Sequence, residues 1–264
     1  MTDRHALRET FGQVPELYDR ARPVYPDAVF ADIARLGGLR EGARVLEIGC
    51  GTGQATLPLA QRRYELTCLE LSPALAALAR AKLAAFPRVQ IVETTFEAWR
   101  PPSAEFDAVV AFTAFHWLDP EVRFAKAAEV LRRGGTLAVV DTQHVALPGG
   151  DTFWAEVQAD YDAVVPSEDN RPPGPPEEIP DFATEIEASG LFDPFAAHRY
   201  VWDVTYTADE YIDVLETYSG HRSMEDAKRH RLYDLIRHRI AERPNRTVTK
   251  TYLTTLNLAS RRPR

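Results

Sequence analysis

Arg44-Val45-Leu46-Glu47-Ile48-Gly49-Cys50-Gly51-Thr52-Gly53 is a short apolar run that breaks into alternating glycines. Its first half has the length and β-branched character of a buried strand. Its second half puts glycines where a strand hands over to a helix. Glycine there lets the backbone turn tightly and lets a ligand approach closely. Many strand-to-helix turns use glycine, so the flanking sequence determines what the run means.

On its C-terminal side, Ala55 to Arg63 reads as a helix and Glu65 to Glu70 as a second strand. Ser72-Pro73 is a helix start, and the alanines and leucines from Ala74 to Phe86 continue it. Val89 to Glu93 and Phe106 to Phe112 read as strands three and four. Pro120 to Leu131 is a helix closed by Gly134-Gly135, and Thr136 to Asp141 is a fifth strand. On the N-terminal side, Pro26-Asp27 opens a helix with Val29, Phe30, Ile33 and Leu36 at helical spacing. This alternation predicts an α/β fold of the doubly wound kind, a mostly parallel sheet with helices on both faces. Right-handed connections then bring the carboxyl ends of the strands to one edge, where ligands bind.

After Asp141 the pattern changes. Asp151 to Val164 reads as a helix carrying Phe153, Trp154 and Tyr161. Pro166 to Pro180 holds six prolines in fifteen residues and reads as a connector. A helix over Phe182 to Ser189, a strand over Ala197 to Tyr206, two helices over Ala208 to Tyr218 and Met224 to Arg239, and a strand over Arg246 to Leu258 complete the chain.

Composition sets outer limits. The 264 residues are 45% hydrophobic, enough for one large α/β domain. No apolar run spans a bilayer, and the N-terminus lacks the pattern of a secretory signal, so a cytoplasmic protein with no membrane partner is expected. A net charge of −8 disfavours nucleic acid as a partner. Cys50 and Cys68 form no disulfide framework, and no metal-ligand spacing occurs, so no metal is expected.

The glycine run itself narrows the ligand. A dinucleotide fingerprint is Gly-x-Gly-x-x-Gly; here the third glycine comes one residue early. Glu47 would repel a pyrophosphate, and the Gly-Lys-Ser/Thr of a phosphate loop is missing. An acidic, glycine-lined pocket suits a ligand that carries positive charge and lacks phosphate. Glu70 ends the second strand 17 residues after Gly53, where a carboxylate can accept hydrogen bonds from both ribose hydroxyls. The competing reading is an acid that serves only the helix N-terminus that follows, but strand end, acid and spacing agree on the ribose.

These features together resemble class I S-adenosylmethionine-dependent methyltransferases. The matching segments are Val45 to Gln54, Leu69 to Pro73, Thr95-Phe96, Phe106-Asp107 to Trp117 and Arg133 to Leu137. The resemblance implies a seven-stranded sheet with the last strand antiparallel, a Rossmann-like methyltransferase fold, and S-adenosyl-L-methionine as cofactor. It implies that Glu47, Gly49, Gly51 and Gln54 face the methionine part and Glu70 the ribose. Leu71, Thr95, Phe96, Ala111 and Phe112 complete the cofactor set, with Leu71 or Phe96 against the base. The family has an aspartate before the position of Phe96; this chain has Thr95, which leaves backbone groups to meet the adenine amino group.

Within the family, Leu17 to Pro26 and Ala114-Phe115-His116-Trp117-Leu118-Asp119 are similar to the type 11, trans-aconitate-methyltransferase-like group. That similarity makes Tyr18 and Arg22 lid residues over the cofactor. Arg22 suits a carboxylate there, or pairs with a surface acid. The implied layout is a single domain of 264 residues: a lid region over 1–25, a cofactor core over 26–142, a partly inserted cap over 143–240, and a final strand and tail over 241–264.

Methyl transfer from a sulfonium is an in-line displacement that asks mainly for alignment and a dry site. A base is needed only if the acceptor loses a proton, and His116, after the fourth strand, is the candidate. The other reading of His116 and Trp117 is structural packing. Tyr25, His116, Trp117, Trp154, Tyr218 and His221 are the candidate acceptor residues; for Phe153 and Trp154 plain core packing competes. The expected function is methyl transfer to a small molecule, by a monomer or weak homodimer. An RNA or tRNA base methyltransferase is the alternative within the same cofactor site, and a non-catalytic S-adenosylmethionine-binding protein the alternative in another class.

Overall fold

A computed structural model describes residues 14–101, 105–167 and 170–263. Seven strands form one mixed sheet in the order β3-β2-β1-β4-β5-β7-β6, mostly parallel with one strand antiparallel. They are β1 (Arg44–Ile48), β2 (Glu65–Glu70), β3 (Val89–Glu93), β4 (Phe106–Phe112), β5 (Leu131–Val145), β6 (Phe192–Thr207) and β7 (Thr247–Arg261). The first four strands have the bounds read from the sequence, because each is a short apolar run with turn residues at both ends.

The register explains how a site arises. Ile48 of β1 pairs with Leu69 of β2 and with Ala111 of β4. Glu70 pairs with Glu93 of β3, and Phe112 with Val140 of β5. β1, β2, β3 and β4 therefore end level with one another, and β5 runs on past them. The chain leaves β1 toward β2 on one side while β4 lies on the other, which is the switch point of a doubly wound sheet.

Contacts divide the chain into two compact units. The first comprises residues 24–142, 181–200 and 254–263. Its sheet is covered on both faces, as alternation along each strand requires. Val45, Cys68, Val110 and Val140 point to one face, under α2 (Asp27–Leu36), α3 (Thr56–Gln61) and α4 (Pro73–Lys82). Leu46, Leu69, Val109 and Val139 point to the other, under α5 (Arg123–Val130) and α8 (Ala183–Ala188). Ser72 caps α4, its Oγ accepting the Leu75 N–H at 3.4 Å, with Pro73 in the first turn.

The second unit comprises the described residues up to Pro23, with 143–180 and 201–253. It contains α1 (Pro15–Ala21), α6 (Phe153–Glu156), α7 (Gln158–Val164), α9 (Ala208–Leu215), α10 (Ser219–Arg222) and α11 (Asp226–Ala241). Its core is built on Phe153, Trp154, Tyr211, Leu232, Ile236 and Tyr252. Arg20 of α1 pairs with Asp213 of α9 at 3.2 Å. A Thr207–Glu210 capping box starts α9. The first residues of the chain, read as helical from the sequence, lie outside the described residues up to 13.

Several elements differ from the sequence reading: β6 starts at Phe192 rather than Ala197, and α4 ends at Lys82 rather than Phe86. The helix expected over Asp151 to Val164 is parted at Val157 into α6 and α7, with Val157 capping both (ψ −17°). The fifth strand starts earlier and ends later than Thr136 to Asp141. Phe106 pairs with Leu131 and Ala108 with Thr136, so β5 carries more residues than β4 between these pairs, and Gly134 (φ +68°) takes up the excess. The glycine pair read as a helix stop thus sits in a bulge. Among the described residues, no helix is long and apolar enough to cross a membrane.

Candidate functional site

The loop after β1 turns on glycine. Gly49, Gly51 and Gly53 have φ of +69°, +57° and +82°. The strongest demand is at Gly49, where a Cβ would lie 2.8 Å from the Cβ of Ala114. This contact brings the β1 loop against the segment after β4, at the switch point. The loop is tied to β2, because both Gly49 N–H and Cys50 N–H donate to the Leu69 carbonyl, at 2.9 and 3.0 Å.

Glu70 fastens the other side. Its Oε2 accepts the Gly51 N–H at 2.9 Å and its Oε1 accepts the Ser72 N–H at 2.8 Å. One carboxylate thus holds both the glycine loop and the start of α4. A carboxylate has about four acceptor positions, so each oxygen keeps one lone pair for a ligand hydroxyl. Burial raises the pKa of Glu70 above the ordinary carboxylate range, against the opposing pull of its backbone donors.

Glu47 is 1% exposed and lies beside Cys68, whose Sγ donates to its Oε2 at 3.5 Å. Burial pushes its pKa up to about 7, and the neighbouring Glu70 adds to the rise. An acid so placed favours a cationic ligand and disfavours a phosphate. Leu71, next to Glu70, is among the exposed large apolar side chains, whereas Phe96 is buried among Leu46, Ile48 and Leu69. An exposed apolar surface for a base is therefore offered by Leu71. Thr95 works within its own loop, its Oγ1 accepting the Ala98 N–H at 3.1 Å.

Ala111 and Phe112 are buried at the end of β4. Phe112 stacks on Phe30 (5.3 Å) and meets the edge of Tyr25 (5.0 Å). The next residue, Thr113, has φ +51°, an unusual conformation for a β-branched residue, and its Oγ1 shares a 2.9 Å hydrogen bond with the Tyr25 hydroxyl. His116 follows in a single 3₁₀ turn, Phe115–Trp117, with its ring 5.0 Å from that of Trp117. Its Nδ1 is 3.7 Å from Oδ1 of Asp141 on β5. That is within ion-pair range.

Apart from Gln54, the remaining sequence-derived candidates belong to the second unit. Arg22 lies over the ring of Tyr218 (4.3 Å) and near that of Tyr18 (5.1 Å), and donates to the Thr217 carbonyl at 3.0 Å. Trp154 is buried in that unit's core, its Nε1 donating to the Thr249 carbonyl at 2.8 Å. His221 Nε2 meets the Tyr161 hydroxyl at 3.1 Å. Gln54 lies half-buried in the first unit, in the turn before α3.

Sequence reasoning missed Thr113, the Asp141 partner of His116, and Lys250. No local signal marks a threonine with positive φ. For Lys250 a signal exists: Val248, Lys250 and Tyr252 alternate along β7, so the lysine shares their buried face.

Comparison with known proteins agrees with this architecture. A family model described as a methyltransferase domain matches residues 45–135. An uncharacterized methyltransferase of Mycobacterium tuberculosis, Rv3342, is 32% identical over 141 residues, 52% of this chain and 54% of that protein. The trans-aconitate 2-methyltransferase of Deinococcus radiodurans is 36% identical over 109 residues, 41% of either chain. The chain thus spans about half the length of the curated relatives it matches. Among solved structures, a candidate type II methyltransferase from Anaeromyxobacter dehalogenans superposes with a TM-score of 0.64 at 23% identity, covering 92% of this chain and 99% of that one. Residues 45–135 thus match a methyltransferase domain, and the sheet that carries them has the fold of that solved structure.

Proposed function

We propose that this protein transfers a methyl group from S-adenosylmethionine to a small-molecule acceptor. The observation that carries the reading is the pair of acids at the level ends of β1 and β2, with Glu70 fixed to the glycine loop and Glu47 buried behind it. The residues fit the cofactor. Glu70 keeps acceptor capacity for a ribose diol, Leu71 offers an apolar surface to the base, and Glu47 offers negative charge to a cationic amino acid part. Nothing in this donor set suits a pyrophosphate.

When bound, the cofactor supplies a methyl group already activated by its sulfonium. The chain's own contribution is then alignment and exclusion of water. Glu70 and the glycine loop fix the nucleoside end. His116, turned toward Asp141, is the group that takes a proton from an acceptor that must lose one. The residues after Asp141 supply acceptor recognition. A net charge of −8 supports a small molecule over RNA as that acceptor.

The test is a screen of metabolite extracts with methyl-labelled S-adenosylmethionine. Label should pass to a low-molecular-weight product, and transfer only to RNA would overturn the small-molecule reading.

A further inference from the structure

Lys250 is 3% exposed, and among the described residues its ammonium has no carboxylate at ion-pair distance. Buried lysines are ordinarily paired. Its Nζ instead donates to the Tyr218 hydroxyl at 3.0 Å. It also sits 5.1 to 5.7 Å from the ring centres of Trp154, Tyr211, Tyr218 and Tyr252. A second cation, Arg22, lies over the same Tyr218 ring.

Four acids of this unit are engaged elsewhere. Asp160 is held twice by Arg239, at 2.6 and 2.8 Å, and Asp151 by Arg243. Glu216 faces Arg222 and Arg229, and Asp213 faces Arg20.

The polar atoms around the lysine are also incomplete. Among the described residues, the buried Nε2 of His144, against the rings of Trp154 and Tyr252, and the buried Nδ1 of His221, against Tyr218, have no hydrogen-bond partner. Burial and the Lys250 charge pull the two imidazoles down to about 2 and about 4, so both are neutral. Burial opposes ionisation of Tyr218, but Lys250 and Arg22 outweigh it and lower its pKa. One buried positive charge, an aromatic wall and unpartnered imidazole nitrogens describe a place for one anion.

We propose that Lys250 and Tyr218, with Arg22 beside them, bind the carboxylate of a small organic acid with an apolar body. One lysine charge matches a monoanion, and the rings suit a flat or aliphatic carbon frame rather than a hydrated phosphate.

The test titrates the full cofactor-free chain with acetate, benzoate and glutarate, each against its neutral amide, and with inorganic phosphate, following tryptophan fluorescence. At least one acid should bind more tightly than its amide. Lys250→Met should remove that preference, with a loss of about thirtyfold or more for the acid. Tyr218→Phe should weaken the acid and leave the amide unchanged; it carries the test if Lys250→Met does not fold. Equal binding of every acid and its amide, an acid preference that survives both substitutions, or phosphate binding as tightly as the best acid would each overturn the proposal. So would tyrosinate absorbance at neutral pH that disappears in Tyr218→Phe, because the lysine would then have its counter-charge already.

Discussion

The Oε2 of Glu70 accepts the backbone N–H of Gly51 at 2.9 Å, so the acid that ends β2 also sets the loop that ends β1. The same side chain takes the Ser72 N–H through its other oxygen. Binding geometry and loop geometry therefore depend on one carboxylate.

Glu70→Ala removes both anchors. Each hydrogen bond to a charged group contributes about 1.5–3 kcal/mol, so S-adenosylmethionine affinity should fall by more than about tenfold. Calorimetry checks this, and unchanged affinity would remove Glu70 from the site.

Glu47 makes stability depend on pH. Its carboxyl titrates near 4.5 when unperturbed and at about 7 in the folded chain. Such an acid imposes no penalty below the lower value. The penalty grows as pH rises between the two values and is complete above about 7. Glu47→Gln should therefore stabilise the cofactor-free protein above neutrality by roughly 3 kcal/mol and leave it unchanged below about pH 4.5. Denaturant melts at the two pH values decide it.

The same acid links protons to the cofactor. A cationic ligand beside Glu47 favours its ionised form, so binding at mildly acidic pH should release protons. Calorimetry in buffers of different ionisation enthalpy reads this directly, and zero release would separate Glu47 from the ligand's charge.

Gly49→Ala forces a Cβ onto that of Ala114 at a φ of +69°. The left-handed conformation costs about 1–2 kcal/mol for a residue with a Cβ, and crowding adds to it. The variant should unfold at lower denaturant and bind cofactor weakly; wild-type stability would show that the loop yields.

His116→Ala should slow transfer by about a hundredfold or more if the acceptor loses a proton to it, and leave cofactor affinity intact. Unchanged turnover would assign His116 and Trp117 to packing.

Much of the fold was legible because it rests on local patterns. Val45 to Ile48, Leu66 to Leu69 and Val109 to Phe112 are short buried strands whose ends are marked by glycine, acid or turn residues. Their level ends then bring Glu47, Glu70 and the loop before His116 to one edge. What stayed hidden depends on long-range packing. Nothing in the local sequence distinguishes Thr113 as a left-handed residue, and the aromatic wall around Lys250 is assembled from segments 154, 211, 218 and 252. Phe96 was legible as a member of a motif, but its burial against Leu46 and Leu69 was not.

A pocket of Glu47, Glu70 and the glycine loop that takes a sulfonium nucleoside should refuse a pyrophosphate. Titration of the wild-type chain with S-adenosylmethionine and, separately, with a nicotinamide dinucleotide should show saturable binding of the first and none of the second; binding of the dinucleotide in its place would overturn the cofactor assignment.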